Sequence, residues 1–182
     1  MQQVKFLMLI FMALLVSCEN ENQQKEYFPV DAWLSSELIQ IDSLPVAITK
    51  YRTEGSKTDT TLSNKKEFRE LANGLLNIHL NESHVKKQYE EMVLDEGNNT
   101  NISIIYTTAD GYDLPLKKIQ VNVKPGQSAP KSIYAERIDR VNDIKIIRKI
   151  IWTSGKSMLV NSVYYQGNKI NNTISEKFEW GI

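Results

Sequence analysis

Apolar residues recur at helical spacing in the first half of the chain and at a spacing of two in the second half. The pattern predicts a first helix over 30–42, ending before Pro45, because the residue before a proline is pushed out of the helical region. A second helix is predicted after an N-cap at Ser63 or Asn64. A third and weaker helical pattern covers 85–93. The apolar face of the second helix comprises Phe68, Leu71, Ala72, Leu75 and Leu76.

From residue 101 onward the apolar positions alternate and the breaks carry turn-forming residues such as Asp110-Gly111 and Gly167-Asn168. Strand-like runs lie near 101–108, 113–123, 131–139, 143–153, 157–166 and 169–180. Two shorter extended segments, at 46–53 and 59–62, precede the second helix. The order of elements predicts an α+β fold, in which two or three N-terminal helices pack on a curved antiparallel β-meander of about six strands.

Two neighbouring runs, 143–153 and 157–166, are apolar on both of their faces. One explanation is a central strand pair that is covered on both sides. The other is an apolar concavity that accepts a hydrophobic ligand. The candidate ligand-binding residues on the second face are Ile147, Ile151, Leu159, Val163 and Tyr165.

Composition narrows the function classes. The chain has 182 residues, 41% of them hydrophobic, with 22 basic and 22 acidic side chains. This length suits one domain with a proper core. A net charge of zero without a segregated basic face argues against nucleic acid as a partner.

The N-terminus has the pattern of an export signal, with Lys5 followed by an apolar run over 6–16 that is too short to span a bilayer. The run ends in Leu15-Val16-Ser17-Cys18, which resembles the bacterial lipobox. The resemblance implies cleavage before Cys18 and a diacylglyceryl thioether on its sulfur. We therefore expect a signal peptide at 1–17, a lipidated tether at 18–26 and a single α+β domain at 27–182. An ordinary signal-peptidase site or a short N-terminal membrane anchor are the alternatives.

Catalytic and metal-binding patterns are missing from the sequence. His79 and His84 do not have the spacing of a zinc helix, and no HExxH, CxxC or EF-hand pattern occurs. Gly155-Lys156-Ser157 lacks the first glycine of a P-loop and lies in a hairpin, so we interpret it as a turn. We expect no catalytic residues, no metal and no cofactor. An enzymatic alternative is an envelope hydrolase with a site assembled around His79, His84 and Glu90.

Beyond the lipobox, three segments are similar to small lipoproteins of Bacteroidota. They are Tyr27–Trp33, Ser132-Ile133-Tyr134 and Trp152–Lys156. The resemblance implies a place in the cell envelope, anchored in the outer membrane through Cys18, and carries over no active site. We expect a non-enzymatic binding or structural module whose partner is an envelope protein or a hydrophobic ligand. A carrier of lipids in a curved-sheet cavity is the alternative within this class.

Overall fold

The computed structural model describes residues 26–95, 97, 101–127 and 129–180. These residues form three helices and nine strands. In chain order the elements are α1 (Val30–Ser43), β1 (Ile48–Glu54), β2 (Lys57–Ser63), α2 (Lys65–Leu76), α3 (Ser83–Lys86), β3 (Tyr89–Asp95), β4 (Ile102–Thr108), β5 (Leu116–Val123), β6 (Pro130–Val141), β7 (Ile144–Thr153), β8 (Ser157–Gln166) and β9 (Lys169–Glu179). None of the described helices has the length and apolar character needed to span a bilayer. The predicted signal peptide, Cys18 and the tether up to residue 25 lie outside the described residues.

All nine strands join one antiparallel sheet in the order β2-β1-β9-β8-β7-β6-β5-β4-β3. Strands β3 to β9 form a meander in which each strand pairs with the next. The N-terminal strand β1 then pairs with the C-terminal strand β9, and β2 pairs with β1. The two edges of the sheet are therefore β2 and β3.

The predicted fold class, α+β with about six strands, is wrong. The sheet has nine strands, and helices make up only about a fifth of the described residues, so the protein is mainly β. The two shorter extended segments predicted at 46–53 and 59–62 are β1 and β2, and they extend the same sheet. Sequence periodicity locates strands but does not say which of them share a sheet, so the N-terminal pair was undercounted.

The predicted helix over 85–93 is also wrong over most of its length. A single helical turn, Ser83–Lys86, is followed directly by strand β3, Tyr89–Asp95. A short apolar run such as Met92-Val93-Leu94 is compatible with either helical or strand spacing. Residues 89–95 form a strand because they pair with β4 along their whole length.

The other two helices lie where the pattern places them. The side chain of Asn64 accepts a hydrogen bond from the backbone N–H of Lys66 and so caps α2. Helix α1 ends at Ser43, and Leu44 before the proline is extended. Trp33 of α1 is partly buried and packs edge-on against Trp152 with ring centroids 5.8 Å apart.

One face of the sheet, called the inner face here, packs against α1 and α2. Its centre is a row of directly opposed residues across β6 to β9, Ile133, Trp152, Met158 and Phe178, all at most 2% exposed. Phe68 from α2 lies over this row, with its ring centroid 5.3 Å from that of Phe178. Burial of these large side chains stabilises the packing of the helices against the sheet.

Candidate binding groove

The inner face changes from apolar to polar along β6 and β7. Ala135 lies opposite Ile150 in the buried part, and two residues further along Arg137 lies opposite Arg148. Because side chains two apart share a face of a strand, both arginines point to the same side as the core. The polar part of the inner face therefore begins at Arg137 and Arg148.

A groove of about 630 Å³ lies at this boundary, between α2, the β4–β5 connection and the ends of β6 and β7. Its volume is in the range typical of small-molecule sites. Its lining residues are Glu70, Leu71, Gly74, Leu75, Asp113, Leu114, Pro115, Arg137, Ile138, Asp139, Arg140, Val141 and Arg148. The groove thus has an apolar helix wall and a charged sheet wall.

Asp139 joins the two arginines of the sheet wall. The Nε of Arg137 donates to both carboxylate oxygens of Asp139, at 2.8 and 3.1 Å. Nη1 of Arg148 donates to the Oδ2 of the same carboxylate. The three side chains are between 19% and 24% exposed, so the cluster is partly shielded from water. One carboxylate between two guanidinium groups leaves one positive charge in excess.

A second ion-pair cluster forms the rim of the groove. Asp113 accepts from Lys117 Nζ at 2.5 Å and from Arg140 Nη1 at 3.3 Å. The hydrogen bond and the charge of Lys117, with the charge of Arg140, hold the pKa of Asp113 below its ordinary value. Asp113 is 71% exposed, so this cluster is screened by solvent and contributes little to stability.

The five residues predicted to bind a hydrophobic ligand lie on the opposite, outer face of the sheet. Ile147 pairs with Val163 and Ile151 with Leu159, so the structure brings four of them together as two cross-strand pairs. Tyr165 follows opposite Lys145, beside an irregularity in the β8–β9 pairing. They are half-buried, apart from the exposed Ile151.

These five residues line none of the cavities that the structure describes around the groove and the helices. No helix of the described chain packs on them, since the core under α1 and α2 is formed by the other face. Their binding of a hydrophobic ligand stays a prediction without a described cavity to support it.

The two histidines have separate partners. His79 Nδ1 lies 2.8 Å from Asp31 Oδ2, which links the segment after α2 to α1. His84 Nδ1 lies 3.5 Å from Glu82 Oε2. No hydrogen bond or ion pair described in the structure joins either histidine to Glu90 of β3. The described residues also contain no group of three histidine, cysteine or acidic side chains placed to hold a metal ion.

Sequence reasoning missed the groove residues. Arg137, Asp139 and Arg148 appear in the sequence as ordinary charged positions of two strand-like runs. The sequence contains one signal for these residues. Arg137 places a charge on the same strand face as Ala135, two residues earlier, where the face is apolar. Recognising it requires the β6–β7 register, which the hairpin turn at 142–143 sets.

The fold and groove define a mainly β protein in which two helices cover part of one sheet face and a charged groove opens beside them. Comparison of the chain with protein-family models, with curated proteins and with solved structures gave no match. The interpretation of its function therefore depends on its own residues.

Proposed function

We propose that the protein is a lipid-anchored lipoprotein of the cell envelope whose folded domain is a non-catalytic binding module. Its ligand site is the groove between α2 and strands β6 and β7. The observation that carries this proposal is the groove itself, which combines a volume of about 630 Å³ with an apolar wall and a partly buried pair of arginines. Mostly apolar walls with a few fixed polar groups are typical of binding sites.

The chemistry of the lining supports binding over catalysis. The lining residues include no serine, threonine, tyrosine, cysteine, lysine or histidine, so the carboxylates of Glu70, Asp113 and Asp139 are the only common catalytic nucleophiles or proton carriers among them. Two of its carboxylates, Asp113 and Asp139, are each held by two cations. The cations beside Asp113 lower its pKa and make it a poor general base, and both oxygens of Asp139 already accept hydrogen bonds from arginines.

The proposed anchor restricts where the module works. If Cys18 carries the lipid, the tether to residue 26 spans at most about 30 Å when fully extended. The groove would then sample ligands and partners within a short distance of the membrane surface. The lipobox Leu15-Val16-Ser17-Cys18 supports this part of the proposal.

A groove-filling variant tests the binding function. Gly74 lines the groove on α2, and a Cβ added there meets no atom within 4 Å, so we expect Gly74→Phe to place its ring in the groove. Asn73→Phe is the matched control, because Asn73 is exposed on the same helix and does not line the groove. Each complete lipoprotein, in non-ionic detergent, is screened by thermal shift against a panel of small organic molecules and by native mass spectrometry for copurified ligands. Ligands should bind the wild type and Asn73→Phe but not Gly74→Phe; a full panel with no groove-dependent binding would refute the proposal.

A further inference from the structure

We infer that the groove selects a monocarboxylate with a short apolar body, whose carboxylate is held by Arg137 and Arg148. This inference depends on the proposed function, because it takes the groove to be the ligand site. It specifies the chemical class of ligand, which the shape of the groove alone does not.

The placement of the two arginines creates the anion preference. Arg137 and Arg148 are directly opposite on neighbouring antiparallel strands, where like charges repel. Asp139 offsets one of the two charges by accepting from both side chains. The remaining positive charge lies in a partly shielded site, where an anionic group is attracted more strongly than at an open surface.

Hydrogen-bond donors remain for such a group. Arg137 uses only its Nε toward Asp139, and Arg148 uses only Nη1. Four donor groups make no hydrogen bond to the described residues: both Nη groups of Arg137, and the Nε and Nη2 of Arg148. A guanidinium presents its donors as a planar fork that matches the two oxygens of a carboxylate. A bound carboxylate would satisfy donors that the folded chain leaves open.

The surroundings favour a single negative charge. The exposed carboxylates of Glu70 and Asp113 lie at the rim, and Asp139 lies beside the arginines. A dianion such as phosphate would meet three carboxylates while only one positive charge of the arginine cluster is unmatched. The groove therefore discriminates by charge number as well as by sign.

The apolar helix wall of the groove is the reason why we expect the ligand to have an apolar body. The groove is also lined by three leucines, Leu71 and Leu75 of α2 and Leu114 of the β4–β5 connection. A carboxylate bound at Arg137 and Arg148 would direct an attached alkyl chain toward these leucines. Removal of that chain from water adds affinity in proportion to the apolar area buried.

Calorimetric titration of the complete lipoprotein in non-ionic detergent tests the inference with four probes: hexanoate, its neutral analogue hexanamide, acetate and inorganic phosphate. We expect hexanoate to bind at least tenfold more tightly than each of the other three. Arg148→Gln should weaken hexanoate at least tenfold and leave hexanamide unchanged. Arg148→Lys keeps the charge without the fork, so we expect an intermediate affinity. Lys149→Gln is the control, because Lys149 is the exposed neighbour of Arg148 on the outer face of β7 and does not line the groove, so its loss of charge should leave the preference intact.

The outcomes separate the inference from the proposed function. If hexanoate and hexanamide bind equally and Gly74→Phe abolishes both, the groove is a binding site but the charge selection is wrong. Tighter binding of phosphate than of hexanoate would also overturn the monocarboxylate assignment. If none of the four probes binds while other panel molecules bind in a Gly74-dependent way, the inference fails and the proposed function stands. Absence of any groove-dependent ligand refutes both.

Discussion

At the scale of single residues, the buried carboxylate of Glu37 links helix α1 to the β7–β8 hairpin. It is 8% exposed and accepts from Trp152 Nε1 at 3.1 Å, Ser154 Oγ at 2.5 Å and the backbone N–H of Gly155 at 3.0 Å. Glu37→Ala would leave these donors without their acceptor and should lower the free energy of unfolding by roughly 2 to 3 kcal/mol. Glu37→Gln keeps one acceptor oxygen and should cost less.

Urea denaturation followed by far-ultraviolet circular dichroism measures both Glu37 variants. Ser36→Ala is the matched control, since Ser36 is the exposed neighbour on the same helix. A Glu37→Ala variant as stable as the control would show that the three hydrogen bonds contribute nothing net.

The buried hydroxyl of Tyr89 makes the free energy of unfolding depend on pH in the alkaline range. Its hydroxyl donates to the Leu116 carbonyl at 2.8 Å, and burial raises its pKa to about 12, while the charge of Arg137 acts in the opposite direction. An unfolded tyrosine ionises near pH 10, so the stabilisation is present below pH 10 and is lost as pH rises toward 12. In Tyr89→Phe the fall in unfolding free energy between pH 10 and 12 should be shallower, by up to about 1.4 kcal/mol per pH unit.

Denaturation curves recorded at intervals from pH 8 to 12 test this expectation. Ile105→Val is the control, because it removes a buried methyl group from β4 without removing a titratable group. It should lower stability equally at every pH. Parallel pH profiles for the wild type and Tyr89→Phe would contradict the assignment to Tyr89.

At the scale of elements, α2 depends on its N-terminal cap as well as on its apolar face. Asn64 Oδ1 accepts from the Lys66 N–H at 2.8 Å. Asn64→Ala should therefore lower the unfolding free energy by about 1 kcal/mol. Asn73→Ala, an exposed change within the same helix, should leave stability unchanged or raise it slightly, because alanine is the better helix former. Equal midpoints for the two variants in urea would show that the cap is dispensable.

The same helix shows how much of an element could be predicted from the sequence. Five apolar positions from Phe68 to Leu76, preceded by a cap residue, specify both the start and the buried face of α2. The run from Tyr89 to Asp95 has only seven residues and fits both spacings, so only its partner β4 makes it a strand. Local pattern was sufficient where an element carries its own start signal and a long periodic face.

At the scale of the whole molecule, the missing information was which strands are neighbours. Hairpin turns predicted the meander, but the β1–β9 pairing joins residues at least 120 positions apart, and no local signal specifies it. The groove has the same origin. Arg137 and Arg148 become partners through register, and Gly74 and Leu114 reach them only through the docking of α2 and the β4–β5 connection. The residues were visible in the sequence, but their proximity was not.

At this scale we also propose that one atom, the sulfur of Cys18, attaches the whole molecule to the membrane through its lipid. Two or three acyl chains hold a protein far more firmly than the marginal binding of a single chain, at about 0.8 kcal/mol per buried methylene. Cys18→Ser should therefore abolish labelling by radioactive palmitate and prevent cleavage before residue 18. Asn20→Ser, two residues along the proposed tether, should leave both labelling and membrane fractionation unchanged.

Intact mass and carbonate extraction of cell envelopes distinguish this proposal from the two alternatives at the N-terminus. A lipoprotein begins at residue 18, carries the added mass of its lipids and resists extraction. A wild-type protein that keeps residues 1–17 and resists extraction, with Cys18→Ser behaving identically, would instead have an uncleaved apolar anchor at 6–16. A cleaved, unlipidated wild-type protein that is released by carbonate would have an ordinary signal peptide, and the groove would then meet its ligands away from the membrane surface.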